Sequence, residues 1–284
     1  MAEAYAYCRR LATSHHENFT VVSWLLPRAL RPHMHAVYAY CRGVDDLGDE
    51  AAGDRLALLD EWDAELRRCY EGAARLPAFV ALQETVRRFD IPREPFLRLI
   101  EANRRDQRTS RYRTFDDLLA YCENSADPVG RLVLYLFGYR DGERQRLSDA
   151  TCSALQLTNF WQDVRRDLEK GRIYIPLEDM ERFGYSEADL LARISDARLR
   201  ELMAFQVRRT RAMFHRGLAL VPVVRGRLRF DLRLFSLGGL AVLDAIEAAG
   251  YDTLSRRPAL SRARKALLGL RGLLPLPVRV RGVS

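Results

Sequence analysis

Apolar residues recur every three or four positions along most of the chain, which is the spacing of one buried face on an α-helix. Residues 56–72, LALLDEWDAELRRCYEG, follow this pattern and end on a glycine, a typical helix stop. Residues 92–107, which open with prolines, and residues 114–126 show the same helical spacing, and the second stretch begins with a threonine cap and an aspartate three residues later. The alternation of apolar and polar residues that marks a strand is nearly absent. The pattern therefore predicts an all-α protein.

Three further stretches show the helical spacing, at residues 144–169, 195–222 and 228–250. Proline and glycine are sparse and gather at a few points between these stretches, and no internal repeat or low-complexity linker separates two halves. We therefore expect a single domain over 1–284, with a basic tail from about residue 262.

Length and composition limit the possible classes of protein. With 284 residues, 48% of them hydrophobic, the chain can bury one large core without disulfides or structural metals. Its five cysteines are odd in number and lack the spacing of zinc ligands, which indicates a reduced, cytoplasmic setting. No signal peptide and no run of 18 apolar residues occurs, so we expect neither export nor a membrane span.

The first candidate site lies in residues 33–50, HMHAVYAYCRGVDDLGDE. Steps of three and four place four polar side chains on one helical face. They are Tyr38, Arg42, Asp45 and Asp49. Asp46 lies about 100° away around the helix, where it is expected to pair with Arg42 or support the other aspartates, and Glu50 is expected to be the solvated helix end.

A second polar face follows in residues 155–176, LQLTNFWQDVRRDLEKGRIYIP. The same spacing brings two amides and two carboxylates together. They are Gln156, Asn159, Asp163 and Asp167. Phe160 and Trp161, between them, are expected to pack in the core.

Aspartate pairs without histidine or cysteine nearby favour a hard cation, and Mg²⁺ prefers one or two carboxylates together with water and phosphate oxygens. Two such helical faces aligned across a cavity would make an oxygen-rich site for metal ions. Those ions would bind a diphosphate that the carboxylates alone would repel, and would neutralise the charge on its leaving oxygens. Each face alone is also typical of a solvated helix surface. It is the presence of both in one helical chain that favours a metal site.

These two segments resemble the aspartate-rich motifs of the squalene and phytoene synthase family of head-to-head prenyl transferases. YAYCRGVDDLGDE is similar to the first motif, and QLTNFWQDVRRDLEKGRIYIP is similar to the second. Between them, RYRTFDDLLAYCENSADPVGRLVL resembles a further conserved segment of that family. The resemblance runs from about residue 5 to about residue 270.

The resemblance implies an isoprenoid synthase fold, all helical, around a deep central cavity with several Mg²⁺ ions and an isoprenoid diphosphate substrate. It implies metal binding by Asp45, Asp49, Asn159, Asp163 and Asp167. It implies diphosphate contacts by Arg42, Arg172, Gln156 and Asn18, the last at a position where the family has a different residue. Tyr38, Tyr121 and Tyr174 would line the reacting end, where an aromatic ring can stabilise a carbocation without offering a strong nucleophile.

Several segments depart from the common family pattern. Ser125-Ala126-Asp127 replaces Val-Ala-Gly, ENFTVVSWLLP stands near the N-terminus, and Arg166 replaces an acidic residue in the second motif. These variants resemble the hydroxysqualene synthases of bacterial hopanoid pathways. That branch converts presqualene diphosphate and water to hydroxysqualene and diphosphate, so no NADPH is expected. Asp127 and Asn124 are candidates for positioning the water, although Asn124-Ser125 would also serve simply to bend or cap the helix before Pro128.

Two other hypotheses stay open on the sequence alone. One is a head-to-head prenyl transferase that makes presqualene diphosphate, squalene or phytoene. The other is a non-catalytic, membrane-associated assembly factor, which would be expected to have lost the metal carboxylates that are present here.

The remaining expectations concern partners and location. The basic tail alternates arginine with leucine and predicts contact with the inner face of the cytoplasmic membrane. The enzyme that makes presqualene diphosphate is a further expected partner. Nucleic acid is not expected, because the formal net charge of +8 is not gathered into one stripe.

Overall fold

The computed structural model describes residues 1–14, 26–261, 264 and 267–268. Within these residues the protein consists of helices and connecting turns, and the only strand-like pairing is an isolated parallel bridge between Arg111 and Ile173. The all-α prediction is therefore confirmed. In chain order the helices are α1 (Ala2–Ser14), α2 (Arg31–Asp49), α3 (Arg55–Glu71), α4 (Pro77–Phe89), α5 (Glu94–Asp106), α6 (Phe115–Ser125), α7 (Asp127–Leu136), α8 (Gly142–Gln162), α9 (Val164–Glu169), α10 (Leu177–Arg182), α11 (Glu187–Leu191), α12 (Ala197–Gly217), α13 (Leu220–Val223) and α14 (Gly226–Ala248).

The predicted helix boundaries follow from local capping chemistry. At α3, the Asp54 side chain accepts a hydrogen bond from the Ala57 N–H, and Gly72 ends the helix at φ 82°. At α6, the Thr114 hydroxyl accepts from the Asp117 N–H at 3.1 Å, while the Asp117 carboxylate accepts from the Thr114 N–H at 3.0 Å. The threonine cap predicted from the sequence is confirmed.

Two predicted helices are interrupted. The stretch 144–169 divides at Asp163 into α8 and α9, and the stretch 195–222 divides after Gly217 into α12 and the short α13. In the second case a proline at position 222 follows closely, and proline cannot donate the backbone hydrogen bond that a continuing helix needs. The interruption at Asp163 lies within the candidate site.

The described chain divides into two compact units. The first comprises the described residues of Met1–Thr109 and Glu123–Gln145, and the second comprises those of Ser110–Cys122 and Arg146–Ser284. The expectation of one domain over 1–284 stays a prediction. No described helix has the length and apolar composition needed to cross a membrane.

In the first unit, α2 is the central element, and it packs against α1, α3, α4, α5 and α7. Its fully buried Tyr40 donates a hydrogen bond to the Phe96 carbonyl oxygen at 2.9 Å. The rings of Phe79 and Phe96 meet Tyr40 edge-on, with centroids 5.6 and 4.8 Å away. This aromatic core fixes the rotation of α2 about its axis, and with it the direction of its aspartate face.

In the second unit, the end of α8 is fixed against α12. Trp161 is fully buried, and its indole N–H donates to the Thr210 hydroxyl at 2.8 Å. Asp179 of α10 accepts hydrogen bonds from Gln206 and Arg209 of α12 at 2.9 and 2.6 Å. These contacts satisfy buried polar groups and hold the helices that precede and follow the second aspartate pair.

Candidate active site

The first aspartate pair lies on the last turns of α2, as the sequence predicted. Asp45 and Asp49 are one helical turn apart and both are exposed to solvent. Tyr38, two turns earlier, is buried. The polar face of α2 therefore begins in the core of the first unit and opens to solvent at the two carboxylates.

Arg42 is held beside this pair by other acidic groups. Its guanidinium lies 2.6 Å from the Asp46 carboxylate and 2.9 Å from that of Glu50. The predicted pairing of Asp46 with Arg42 is confirmed. Glu50 is largely exposed, as expected, but it also contributes to holding Arg42, because the chain turns back after α2.

Asp45 also has a neighbour that the sequence did not predict. The side-chain amide of Asn103 on α5 donates a hydrogen bond to Oδ1 of Asp45 at 3.3 Å. Asp45 is exposed to solvent on one side and surrounded by protein atoms on the others. This partial burial removes water that would stabilise the charged carboxylate, and it therefore raises the pKa of the Asp45 carboxyl above the ordinary value. The Asn103 hydrogen bond lowers this pKa, and the Asp49 charge raises it.

The second aspartate pair does not lie on one uninterrupted helix, so the predicted continuous polar face is wrong in this respect. Asp163 stands between α8 and α9 with φ −106° and ψ 16°. The spacing nevertheless survives, because the Asp163 N–H still donates to the Asn159 carbonyl and the Asp167 N–H to the Asp163 carbonyl, both at 2.9 Å. Asn159 is exposed and Gln156 is partly buried, both on α8.

The interruption coincides with contacts from a segment almost a hundred residues away. Arg257 donates to both oxygens of the Asp163 carboxylate, at 2.5 and 2.9 Å, and to the Gln162 side-chain oxygen at 3.0 Å. The Gln162 amide in turn donates to the Pro258 carbonyl at 2.6 Å. A bidentate arginine and an amide thus hold this turn from outside the helix, at the position where the backbone departs from helical geometry.

Asp167 lies beside a small cavity of the second unit. The cavity is lined by Phe160, Val164, Asp167, Arg172, Ile173, Tyr174, Ile175 and Leu190. Burial raises the pKa of the Asp167 carboxyl, and the Asp163 charge raises it further, while Lys170 and Arg172 lower it. The backbone N–H of Arg172 donates to the backbone carbonyl of Asp167 at 2.9 Å. Gly171, with φ 74°, allows the chain to turn between them.

Four aromatic rings of the second unit form a cluster, and two of them, Phe160 and Tyr174, line this cavity. Phe160 and Tyr174 stack with centroids 3.8 Å apart, and Tyr121 lies 6.1 Å from Tyr174. Tyr112 completes the cluster at 5.8 Å from Tyr174. Phe160 is buried as expected, but it does more than fill the core, because it lines the cavity together with Asp167.

The residues predicted to position water lie where α6 gives way to α7. Asn124 is near the end of α6, and Asp127 begins α7 immediately before Pro128. Asp127 is buried, with 3% of its surface exposed. The helix is therefore interrupted before Pro128, as expected if Asn124 and Ser125 bend or cap it. The Asp127 carboxyl group is buried in the first unit. The predicted diphosphate contact Asn18 lies outside the described residues.

The carboxylate and amide oxygens of the candidate site are the type of ligand that Mg²⁺ binds. Each unit supplies an aspartate pair at one-turn spacing, and the carboxyl groups of Asp45 and Asp167 both have raised pKa values, which a bound cation would oppose. Among the described residues there is no group of three or more aspartate, glutamate, histidine or cysteine side chains placed to hold a metal ion.

Three residues of the site were not predicted from the sequence. Asn103 and Arg257 contact the aspartates from distant parts of the chain, and Tyr112 joins the ring cluster. Only Tyr112 had a sequence signal, since it lies in the segment RYRTFDD that already carried the resemblance. Asparagine on one helix and arginine in a turn carry no comparable signal.

The helical architecture places this chain in the class of isoprenoid synthases with the all-α fold, which solved structures of squalene and dehydrosqualene synthases share. The chain belongs to the squalene/phytoene synthase family, whose sequence model matches residues 4–264. This family consists of enzymes that act on isoprenoid diphosphates.

Three relatives illustrate the similarity. The crystal structure of the squalene synthase HpnC from Alicyclobacillus acidocaldarius is 55% identical, with a TM-score of 0.86 over 88% of this chain and 95% of that one. A dehydrosqualene synthase in complex with ligand is 26% identical, with a TM-score of 0.86 over 95% of both chains. A 15-cis-phytoene synthase of Synechocystis sp. is 34% identical over 279 residues, covering 93% of this chain and 83% of the relative.

Proposed function

We propose that this chain is a hydroxysqualene synthase, which converts presqualene diphosphate and water to hydroxysqualene and diphosphate. The observation that carries the proposal is the 55% identity to a squalene synthase, against 34% to a phytoene synthase. This difference favours a product with the 30 carbons of squalene. The departures around Asp127 support water, rather than a hydride donor, as the group that ends the reaction.

The first step of the proposed reaction breaks the carbon–oxygen bond to diphosphate, which leaves with the bonding electrons. Mg²⁺, when bound by Asp45, Asp49, Asn159, Asp163 and Asp167, would neutralise the charge that develops on the leaving oxygens. Arg42 and Arg172 would add positive charge, with further contacts from Gln156 and Asn18. Arg42 is already oriented by Asp46 and Glu50, so it loses little freedom on binding.

The carbocation that remains rearranges within the substrate. Tyr174, stacked on Phe160 and Tyr112, and Tyr121, tilted against the same rings, are proposed to present ring faces that attract a cation but are poor nucleophiles. Tyr38 on α2 is proposed to serve in the same way. Rings held by one another cannot easily turn their hydroxyl groups toward the cation, which protects it from premature capture.

Water then forms a new carbon–oxygen bond and releases a proton. Asp127 and Asn124 are proposed to position this water, and the buried Asp127 supports that role because a carboxylate inside the protein can both orient water and accept its proton. An unchanged yield of hydroxysqualene from Asp127→Ala would contradict this assignment. No step requires NADPH.

The runner-up is a head-to-head prenyl transferase that makes presqualene diphosphate, squalene or phytoene. It is favoured by the names of several curated relatives, which are phytoene synthases. A non-catalytic assembly factor is disfavoured because all four aspartates of the two pairs are present.

Product analysis separates these candidates. Purified protein is incubated with Mg²⁺ and one of three substrates: farnesyl diphosphate, geranylgeranyl diphosphate or presqualene diphosphate. Each incubation is run with and without NADPH in water enriched in ¹⁸O, and the products are analysed by gas chromatography and mass spectrometry. We expect ¹⁸O-labelled hydroxysqualene from presqualene diphosphate, independent of NADPH, and little turnover of farnesyl diphosphate alone. Squalene formed only with NADPH, or phytoene from geranylgeranyl diphosphate, would overturn the proposal.

A further inference from the structure

Helices α2 and α5 approach each other unusually closely beside the first aspartate pair. Gly48 lies between Asp45 and Asp49, and a Cβ atom added to it would lie 2.0 Å from Oδ1 of Asn103. Any larger residue at position 48 would therefore push Asn103 away. The side chain of Gln107, which directly follows the last residue of α5, donates to the Gly48 carbonyl at 2.9 Å and fixes the same approach.

The hydrogen bonds of Asn103 fix its amide group. The residue is 93% buried, with 7% of its surface exposed. Its side-chain nitrogen donates to the Leu99 carbonyl of its own helix at 3.1 Å and to Oδ1 of Asp45 at 3.3 Å. The first bond sets the side-chain rotamer, and the second then restricts the plane of the Asp45 carboxylate. A neutral donor does this without adding a charge that would compete with a cation.

We propose that Asn103 is a positioning residue for Asp45: it holds the carboxylate in the orientation that binds Mg²⁺, and Gly48 provides the space for this contact. The proposal rests on the proposed function, because it assumes that Asp45 is a metal ligand. Partners that orient a metal-binding side chain typically change metal affinity by about 10- to 100-fold when they are removed. A residue that merely packs α2 against α5 would change stability and leave metal affinity unaltered.

The chain offers a matched control for this distinction. Asn103→Leu removes the amide donor with little change in volume, whereas Gln107→Leu removes an equivalent bond between the same two helices that ends on a backbone carbonyl. Asn103→Ala, which only removes atoms, replaces Asn103→Leu if the latter fails to fold. Thermal unfolding of each variant reports the packing contribution separately.

The test measures Mn²⁺ binding to the full chain in the presence of inorganic diphosphate, from the loss of the free Mn²⁺ signal in electron paramagnetic resonance. We expect Asn103→Leu to weaken binding by about tenfold or more and Gln107→Leu by less than about twofold. In an Asp45→Asn background, Asn103→Leu should cause no further loss, because the contact through which it acts is already changed. In steady-state assays the Asn103 variant should regain turnover as Mg²⁺ is raised.

Three results would overturn the inference. Equal effects of the Asn103 and Gln107 variants on Mn²⁺ binding would assign Asn103 to packing alone, and so would an undiminished effect of Asn103→Leu in the Asp45→Asn background. In both cases the proposed function is untouched, since Asp45→Asn itself still weakens binding. If Asp45→Asn leaves Mn²⁺ binding at the wild-type level, the metal assignment fails and the inference fails with it.

Discussion

At the scale of single residues, the site depends on how each charged or aromatic group is held. Asp45 is held by Asn103, Asp163 by Arg257, and Tyr174 by the stacked ring of Phe160. Asn103 and Arg257 are distant in sequence from the aspartates that they orient, whereas Phe160 belongs to the same motif as Tyr174 and itself lines the cavity. Mutations at Asn103 or Arg257 should therefore alter function without removing a proposed metal ligand.

Tyr174 tests the proposed role of the ring cluster. Tyr174→Phe keeps the ring and its stacking on Phe160, whereas Tyr174→Leu keeps an apolar side chain but removes the ring. We expect Tyr174→Phe to retain most of its turnover and Tyr174→Leu to lose about tenfold in kcat, because a cation over an aromatic face is stabilised by roughly 1–2 kcal/mol. The measurement is kcat with presqualene diphosphate, and thermal unfolding serves as the control for folding. Equal losses in both variants would assign the effect to the hydroxyl group instead.

At the scale of elements, close helix packing fixes the second unit around its site. Helices α12 and α14 meet where Gly239 faces Phe214, and a Cβ atom at position 239 would lie 2.2 Å from that ring. Phe214 is fully buried and cannot move aside without disturbing its neighbours. The adjacent Gly238 has no atom within 4 Å of its potential Cβ position.

These neighbouring glycines predict opposite effects of one substitution. Gly239→Ala should lower the free energy of unfolding by about 1–3 kcal/mol through overpacking. Gly238→Ala should raise it by about 0.5–1 kcal/mol, because alanine costs less conformational entropy than glycine in a helix. Urea denaturation of both variants under the same conditions provides the comparison. Similar effects at the two positions would show that the contact with Phe214 does not constrain α14.

At the scale of the whole molecule, the excess of basic residues and the tail from about residue 262 bear on location. The chain carries a formal net charge of +8, and residues 262–284 contain basic residues but no acidic one. Apart from Arg264 and residues 267–268, the tail lies outside the described residues. Arg264 donates to the Asp244 carboxylate of α14 at 2.9 Å. We propose a cytoplasmic protein whose tail contacts the inner face of the membrane and lets an apolar product leave, with the enzyme that makes presqualene diphosphate as a further partner.

Deletion of residues 262–284 tests the membrane proposal. Sedimentation with vesicles that contain phosphatidylserine should fall sharply on deletion, because each basic residue near an anionic surface contributes about 1 kcal/mol. Binding of the full chain should weaken as salt is raised and should be small with neutral vesicles. Unchanged sedimentation of the shortened chain would remove the tail from the proposal.

The sequence alone determined the helical class, the boundaries of several helices and the spacing of both aspartate pairs, because helical periodicity and capping are local properties that three or four neighbouring residues encode. It also placed Asp45 and Asp49 on one turn of α2 correctly. The tertiary structure alone decided that α8 ends before Asp163, that Arg257 holds this residue, and that Asn103 reaches Asp45. Those contacts join residues 58 and 94 positions apart, and local pattern carries no information about which distant side chains packing will bring together.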